Sequence, residues 1–229
     1  MQSTRFLAVC LAVAAAAVAP AAWAEKTGAG SAAPAGLITP AQASEVDPGT
    51  PQKLIETAAR AMMRDIEANR VLYRKDPMQL YALVDRILLP YFDVDYAARL
   101  VLGRHWRTAT PEQRKRFVEA FYRSLLTNYS DALAEFTSDR LKILPAAVES
   151  GGKTASVRAD VKRRNGQKVP VSYSLRLTAQ GWKAWDVVIE GISYVKSFRE
   201  DFGAEIDQKG LDAVLVRLEH QAGAPARKS

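Results

Sequence analysis

Apolar positions recur with a period of 3.6 residues in the first half of the chain and with a period of 2 in the second. In the first half, Leu54, Ile55, Ala58, Met62 and Ile66 mark one face of a helix. Thr50-Pro51 starts that helix with a hydroxyl cap and a proline in its first turn. Asp76-Pro77-Met78-Gln79 repeats the signature with capping-box spacing, and Leu80, Leu83, Val84, Ile87 and Leu88 follow as a stripe that Pro90 ends. Asp93 caps a short third helix that stops at Gly103. Thr110-Pro111-Glu112-Gln113 opens the longest helix, whose buried stripe reads Phe117, Val118, Phe121, Leu125, Tyr129, Leu133 and Phe136.

Near residue 140 the period changes. An early strand covers Leu141 to Ala146, and Ala155, Val157, Ala159 and Val161 then alternate with polar residues. Asn165-Gly166 is a strong hairpin signal between that strand and the run Val169, Val171, Tyr173, Leu175, Leu177. A turn at Gln180-Gly181 leads into Trp182 to Glu190, and helix returns from Tyr194 to Gln208. A final amphipathic stretch carries Leu211, Val214, Leu215 and Leu218. The order predicts an α+β fold with at least four antiparallel strands, in which helices cover one face of a curved sheet.

The two ends read differently from this domain of residues 48 to 221. Arg5, an apolar run from Phe6 to Val18 and Ala22-Trp23-Ala24 have the layout of a signal peptide over residues 1 to 24. The apolar run is 13 residues, shorter than the roughly 20 that cross a bilayer. Residues 25 to 47, rich in Ala, Gly, Ser, Thr and Pro, form a flexible lead-in, and residues 222 to 229 a basic tail. A hydrophobic content of 48% and a charged content of 25% suit a globular domain. Cys10 is the single cysteine and leaves with the signal peptide, so the exported chain has no disulfide, thiol nucleophile or thiolate metal site.

Candidate catalytic groups are sparse. His105 and His220 are far apart, and no metal-spaced histidine pair or P-loop occurs. Gly191-Ile192-Ser193 begins like a nucleophile elbow but lacks its closing glycine, so Ser193 reads as a helix cap. Asp186 lies in an apolar strand without a visible partner for proton transfer. The net charge of +7 gathers in part at Lys162, Arg163, Arg164 and Lys168 around the hairpin turn, a candidate docking edge for an anionic lipid or an acidic protein. An exported chain without a recognition motif is a poor nucleic-acid binder. No cofactor and no enzymatic activity are expected, and a monomer is.

The residues that remain are large and apolar on both layers. Val169, Val171, Tyr173 and Leu175 point to one face of their strand. Trp185, Val187 and Ile189 share a face on the next strand, and Ile192 follows past Gly191. Leu83, Ile87, Phe117 and Phe121 face them from the helices. Periodicity alone does not separate a filled core from an apolar cavity with its mouth near the Gly191-Ile192 bend.

Several stretches resemble one known family. They are Asp76-Pro77, Leu83-Val84-Asp85, Leu88-Leu89-Pro90-Tyr91-Phe92, Leu100-Val101-Leu102-Gly103 with Trp106, and Ala109-Thr110-Pro111 with Gln113-Arg114. Asp186-Val187, Ile189-Glu190-Gly191-Ile192-Ser193 and Phe198-Arg199 complete the pattern, which spans roughly residues 50 to 218. It is similar to the MlaC or toluene-tolerance family of periplasmic phospholipid-binding proteins. The resemblance implies an NTF2-like sheet with acyl tails held between it and the helices. It also implies a soluble carrier that moves phospholipid between an outer-membrane lipoprotein–porin complex and an inner-membrane ABC transporter with an MCE-domain subunit, maintaining outer-membrane lipid asymmetry. Val169, Val171 and Ile192 match apolar lining positions of that family. The lead-in is longer than the family pattern, and hopanoid-associated members leave other apolar ligands, or a purely structural partner role, as alternatives.

Overall fold

The computed structural model describes residues 46–134, 141–162 and 166–223. The predicted signal peptide, nearly all of the predicted lead-in, the hairpin residues Arg163 and Arg164 and most of the predicted basic tail lie outside the described residues. Val46 and Asp47, the last described part of the lead-in segment before the domain, are already tied to it. Val46 is buried in the core, and the Asp47 amide donates to Thr57 Oγ1 at 2.8 Å.

Among the described residues five α-helices precede the sheet: α1 (Pro51–Lys75), α2 (Pro77–Ile87), α3 (Val94–Leu102), α4 (His105–Thr108) and α5 (Pro111–Ala134). Each predicted start is capped as its sequence requires. The Lys53 amide donates to Thr50 Oγ1, the Met78 amide to Asp76 Oδ1 and the Tyr96 amide to Asp93 Oδ1. At α5, Thr110 and Gln113 form the reciprocal box, with bonds of 3.0 and 3.1 Å. Within the described residues α1 spans 25 residues, against 24 for α5. Helix α1 runs through a break at Asn69, whose side-chain amide donates to the Asp65 carbonyl and carboxylate. Beyond the break, buried Tyr73 donates its hydroxyl to Asp65, and Arg86 of α2 pairs with the same carboxylate at 2.8 Å.

The sheet is an antiparallel meander: β1 (Leu141–Val148), β2 (Thr154–Lys162), β3 (Lys168–Thr178), β4 (Gly181–Ile189) and the short β5 (Ile192–Ser193), in that order. Lys162 and Lys168 are the last paired residues of the β2–β3 ladder before the connection between the two strands. The chain then returns to helix in α6 (Tyr194–Lys209) and α7 (Leu211–Gly223). No described helix is long and apolar enough to cross a membrane.

Two packed cores result. In the first, α1 and α2 cover one end of the sheet. Leu54, Ile66, Leu80 and Leu83 meet Ala155, Val157, Leu175 and Ala184 there. The second is helical, formed by α3, α5, α6 and α7 around Val101, Phe117, Phe121, Phe202, Val214 and Leu215. The loop after α2 joins them: the Asp93 amide donates to the Ala184 carbonyl at 2.7 Å, and the Asp93 carboxylate holds Arg176 of β3 at 2.6 Å. On α6, burial raises the Glu205 carboxyl, but the two-pronged bond from Arg217 of α7, aided by Lys209, outweighs it and leaves the group below the usual glutamate value. A depressed carboxylate stabilises the fold above its unfolded value and loses that contribution as pH falls through the folded one. Stability towards urea is therefore expected to fall as pH drops below about 4.5, the ordinary value. Glu205→Gln should remove that part of the pH dependence.

Candidate functional site

The inner face of the sheet follows from its register. Val169 lies opposite Val161, Val171 lies between Ala159 and Ile189, and Tyr173 lies between Val157 and Val187. Leu175 continues the row, opposite Ala155 on one side and Ala184 on the other. The helix-covered core takes only the Leu175 end of this face. At the other end, Val161, Val169, Val171 and Ile189 form a separate apolar cluster with Leu141, Val187, Tyr173 and Tyr194. Among the described residues, every member of that cluster comes from the sheet except Tyr194, the first residue of α6. Tyr173 alone is packed against both this cluster and the helix-covered one.

Tyr173 marks the character of the region. It lies deep enough that burial alone pushes its phenol above the ordinary tyrosine value. Yet the residue is only half-buried, as are Val187 and Leu141 beside it. Among the described residues the cluster holds no charged side chain, and a surface of this kind suits alkyl chains.

Of the twelve residues expected to line a site, five come together here: Val169, Val171, Tyr173, Val187 and Ile189. Leu83, Ile87 and Leu175 belong instead to the packed core under α1 and α2. Phe117 and Phe121 do not face the sheet's apolar cluster. They stack on each other at 5.6 Å between centroids, and each meets Phe202 edge-on, inside the helical core. Trp185 does not share a face with Val187 and Ile189. The register shifts between Ser174 and Leu175, so that Ser174 pairs with Asp186 and Leu175 with Ala184, leaving Trp185 as the extra residue. Its ring meets Tyr96 edge-on at 5.5 Å, and the Arg176 guanidinium sits 4.1 Å from the centre of the Tyr96 ring. Ile192 is 56% exposed. It follows a two-residue hairpin turn in which Glu190 and Gly191 both have positive φ, 50° and 83°.

The residues that looked like chemistry are structural. Ser193 caps α6, accepting from the Lys196 amide at 3.1 Å, and donates to Asp186 at 2.6 Å. Asp186 is 3% exposed and also accepts from the Val195 amide at 3.0 Å, so a buried carboxylate sits at the positive end of α6. His105 lies 3.4 Å from Asp207, and no cluster of metal-ligating residues occurs among the described residues.

Sequence reasoning passed over a second surface, because its residues are spread over three helices. Two neighbouring clefts of about 460 and 350 Å³ share Arg104 and Arg199, and together they expose Arg99, Arg107 and Lys196. Gly103, which lines the second of them, ends α3 with φ +53° and would bring a Cβ within 2.8 Å of Arg199 Nε. Gly103→Ala is expected to cost roughly 1–2 kcal/mol, mostly from the left-handed backbone, since the arginine tip can move. Chemical denaturation of the purified variant checks this.

Comparison with known proteins fits this frame. Residues 56–220 match the family described as MlaC protein. The chain is 34% identical over 164 residues to the toluene tolerance protein ttg2D of Pseudomonas putida, covering 71% of this chain and 76% of that one. It is 25% identical over 179 residues to the intermembrane phospholipid transport system binding protein MlaC of Haemophilus influenzae, covering 77% and 84%. The fold superimposes with a TM-score of 0.68 on a phospholipid-binding protein from Ralstonia solanacearum solved in complex with a phospholipid, at 24% identity over 75% of this chain and 96% of that one. By the extent of the family match and by its relatives, the chain belongs to the MlaC family.

Proposed function

We propose that this protein is a periplasmic phospholipid carrier that holds acyl chains against the free-standing apolar cluster of the sheet. The observation that carries this reading is the division of the sheet's inner face. One end is packed by helices, while the other is an apolar wall built from Val161, Val169, Val171 and Ile189, linked to the core through Tyr173. A relative named for phospholipid transport and a structural neighbour solved with a phospholipid support it.

The energetics explain why such a wall is enough. A lipid with two long chains carries about 30 methylenes, and at about 0.8 kcal/mol each its transfer from bilayer to water costs roughly 24 kcal/mol. A protein surface as apolar as the bilayer offsets most of that cost without any reacting group. The phosphate stays at the mouth in water, because burying its charge unpaired is prohibitive. A carrier of this kind is loaded and emptied by membrane complexes. The family resemblance points to an outer-membrane lipoprotein–porin complex at one end and an inner-membrane ABC transporter with an MCE-domain subunit at the other.

A phospholipid with a diazirine in its acyl tail tests the location. After photolysis, adducts are expected on β2, β3 and β4 between residues 157 and 173 and between 187 and 194. Adducts confined to the clefts around Arg104 and Arg199 would place the tails elsewhere and overturn the reading.

A further inference from the structure

The paired inner-face residues from Val161 and Val169 at one end to Ala155, Leu175 and Ala184 at the other carry one polar side-chain atom, the hydroxyl of Tyr173. Its flanks on the sheet are Val157, Val187, Val171 and Leu175, none of which accepts a hydrogen bond through its side chain. The contrast with the other deep phenols is direct. Tyr73 donates to Asp65, and Tyr122 donates to Asp85. Among the described residues Tyr173 has no such acceptor, and burial is the single cause that moves its pKa. A hydroxyl on an apolar face without a protein partner gains nothing from its neighbours, and phenylalanine would fill the same volume.

We propose that the Tyr173 hydroxyl donates a hydrogen bond to an ester carbonyl oxygen of the bound diacyl lipid, fixing how far the cargo slides along the apolar wall. This rests on the carrier reading and adds to it a polar contact that the apolar patterning did not foresee. The wall itself sets no register, because one methylene packs against valine and isoleucine as well as the next. A single donor beside it does. The ester group is the part of a diacyl lipid that meets the requirement: an uncharged acceptor joined directly to the alkyl chain. It needs no counter-ion, and tyrosine supplies the matching donor on a ring that otherwise packs with its apolar neighbours.

The contact predicts a preference between lipids that differ only at that oxygen. The full chain, loaded from an equimolar mixture of dipalmitoyl phosphatidylethanolamine and its dihexadecyl ether analogue, is extracted and the bound lipids are counted by mass spectrometry. The wild-type protein is expected to favour the diester by about threefold to tenfold, the range of one net hydrogen bond to a neutral group. Tyr173→Phe keeps the ring and is expected to bind the two lipids in equal amounts, the ratio and not the total being the readout. An equal ester-to-ether ratio in both proteins would overturn the contact. Absence of lipid from both would overturn the carrier reading and the contact together, and total occupancy separates that outcome from the first.

Discussion

Val171→Asp is expected to yield a folded protein that carries no phospholipid, whereas Leu175→Asp, four residues further along the same face of the same strand, is expected not to fold. The two side chains look alike in sequence. They differ in what lies over them: Val171 belongs to the sheet's own apolar cluster, and Leu175, 1% exposed, lies beneath α1 and α2. A carboxylate at Leu175 has neither water nor a cation within the packed core, and that desolvation costs several kcal/mol, most of the stability of a domain this size. A carboxylate at Val171 is hydrated once the lipid is gone, but it makes the wall unfit for an alkyl chain. Circular dichroism and extracted lipid, measured together on both variants, read out the contrast. Unfolding of both would mean that the whole inner face is core.

Phe117→Ala is the second large effect, and it should act on stability rather than on binding. The ring is fully buried, stacks on Phe121 and meets Phe202 edge-on at 5.5 Å, so its removal leaves a cavity walled by three helices. The expected loss is about 3–5 kcal/mol by urea denaturation. Lipid per folded chain should be unchanged under conditions where the variant remains folded. A loss of lipid at full stability would put Phe117 at the ligand after all.

How far the sequence reached can be read from single residues. Helix starts were legible because each is written locally: Thr50-Pro51, Asp76-Pro77 and Thr110-Pro111 place a side-chain acceptor where the first free amides lie. The strands were legible because alternation is local too, and β1 to β4 lie close to their expected bounds, while the two-residue β5 is too short to show a period. The site was only partly legible. Val169, Val171 and Tyr173 were placed by alternation, but Trp185 was not, because one bulge in β4 reverses the parity that alternation assumes. Phe117 and Phe121 follow a helical stripe as the sequence indicates, but a stripe does not say which neighbour it meets, and here that neighbour is α6 and α7.

The stretches that carry the family resemblance prove to be framework. Gly103 receives the Arg199 guanidinium, Arg114 bonds the Trp106 carbonyl at 2.9 Å, and Asp186 ties Ser193 and the start of α6 to β4. Such motifs need one residue type at one place, which makes them recognisable. The apolar wall needs only branched carbon of about the right size, so its sequence signal is no stronger than that of any buried strand.

The most direct test of the central claim is the lipid content of the purified protein. Organic extracts of the full chain, prepared without added lipid and quantified by mass spectrometry against protein, are expected to hold phospholipid at about one molecule per chain. Protein that is lipid-free as purified, and that also takes up none from added phospholipid, would contradict the account.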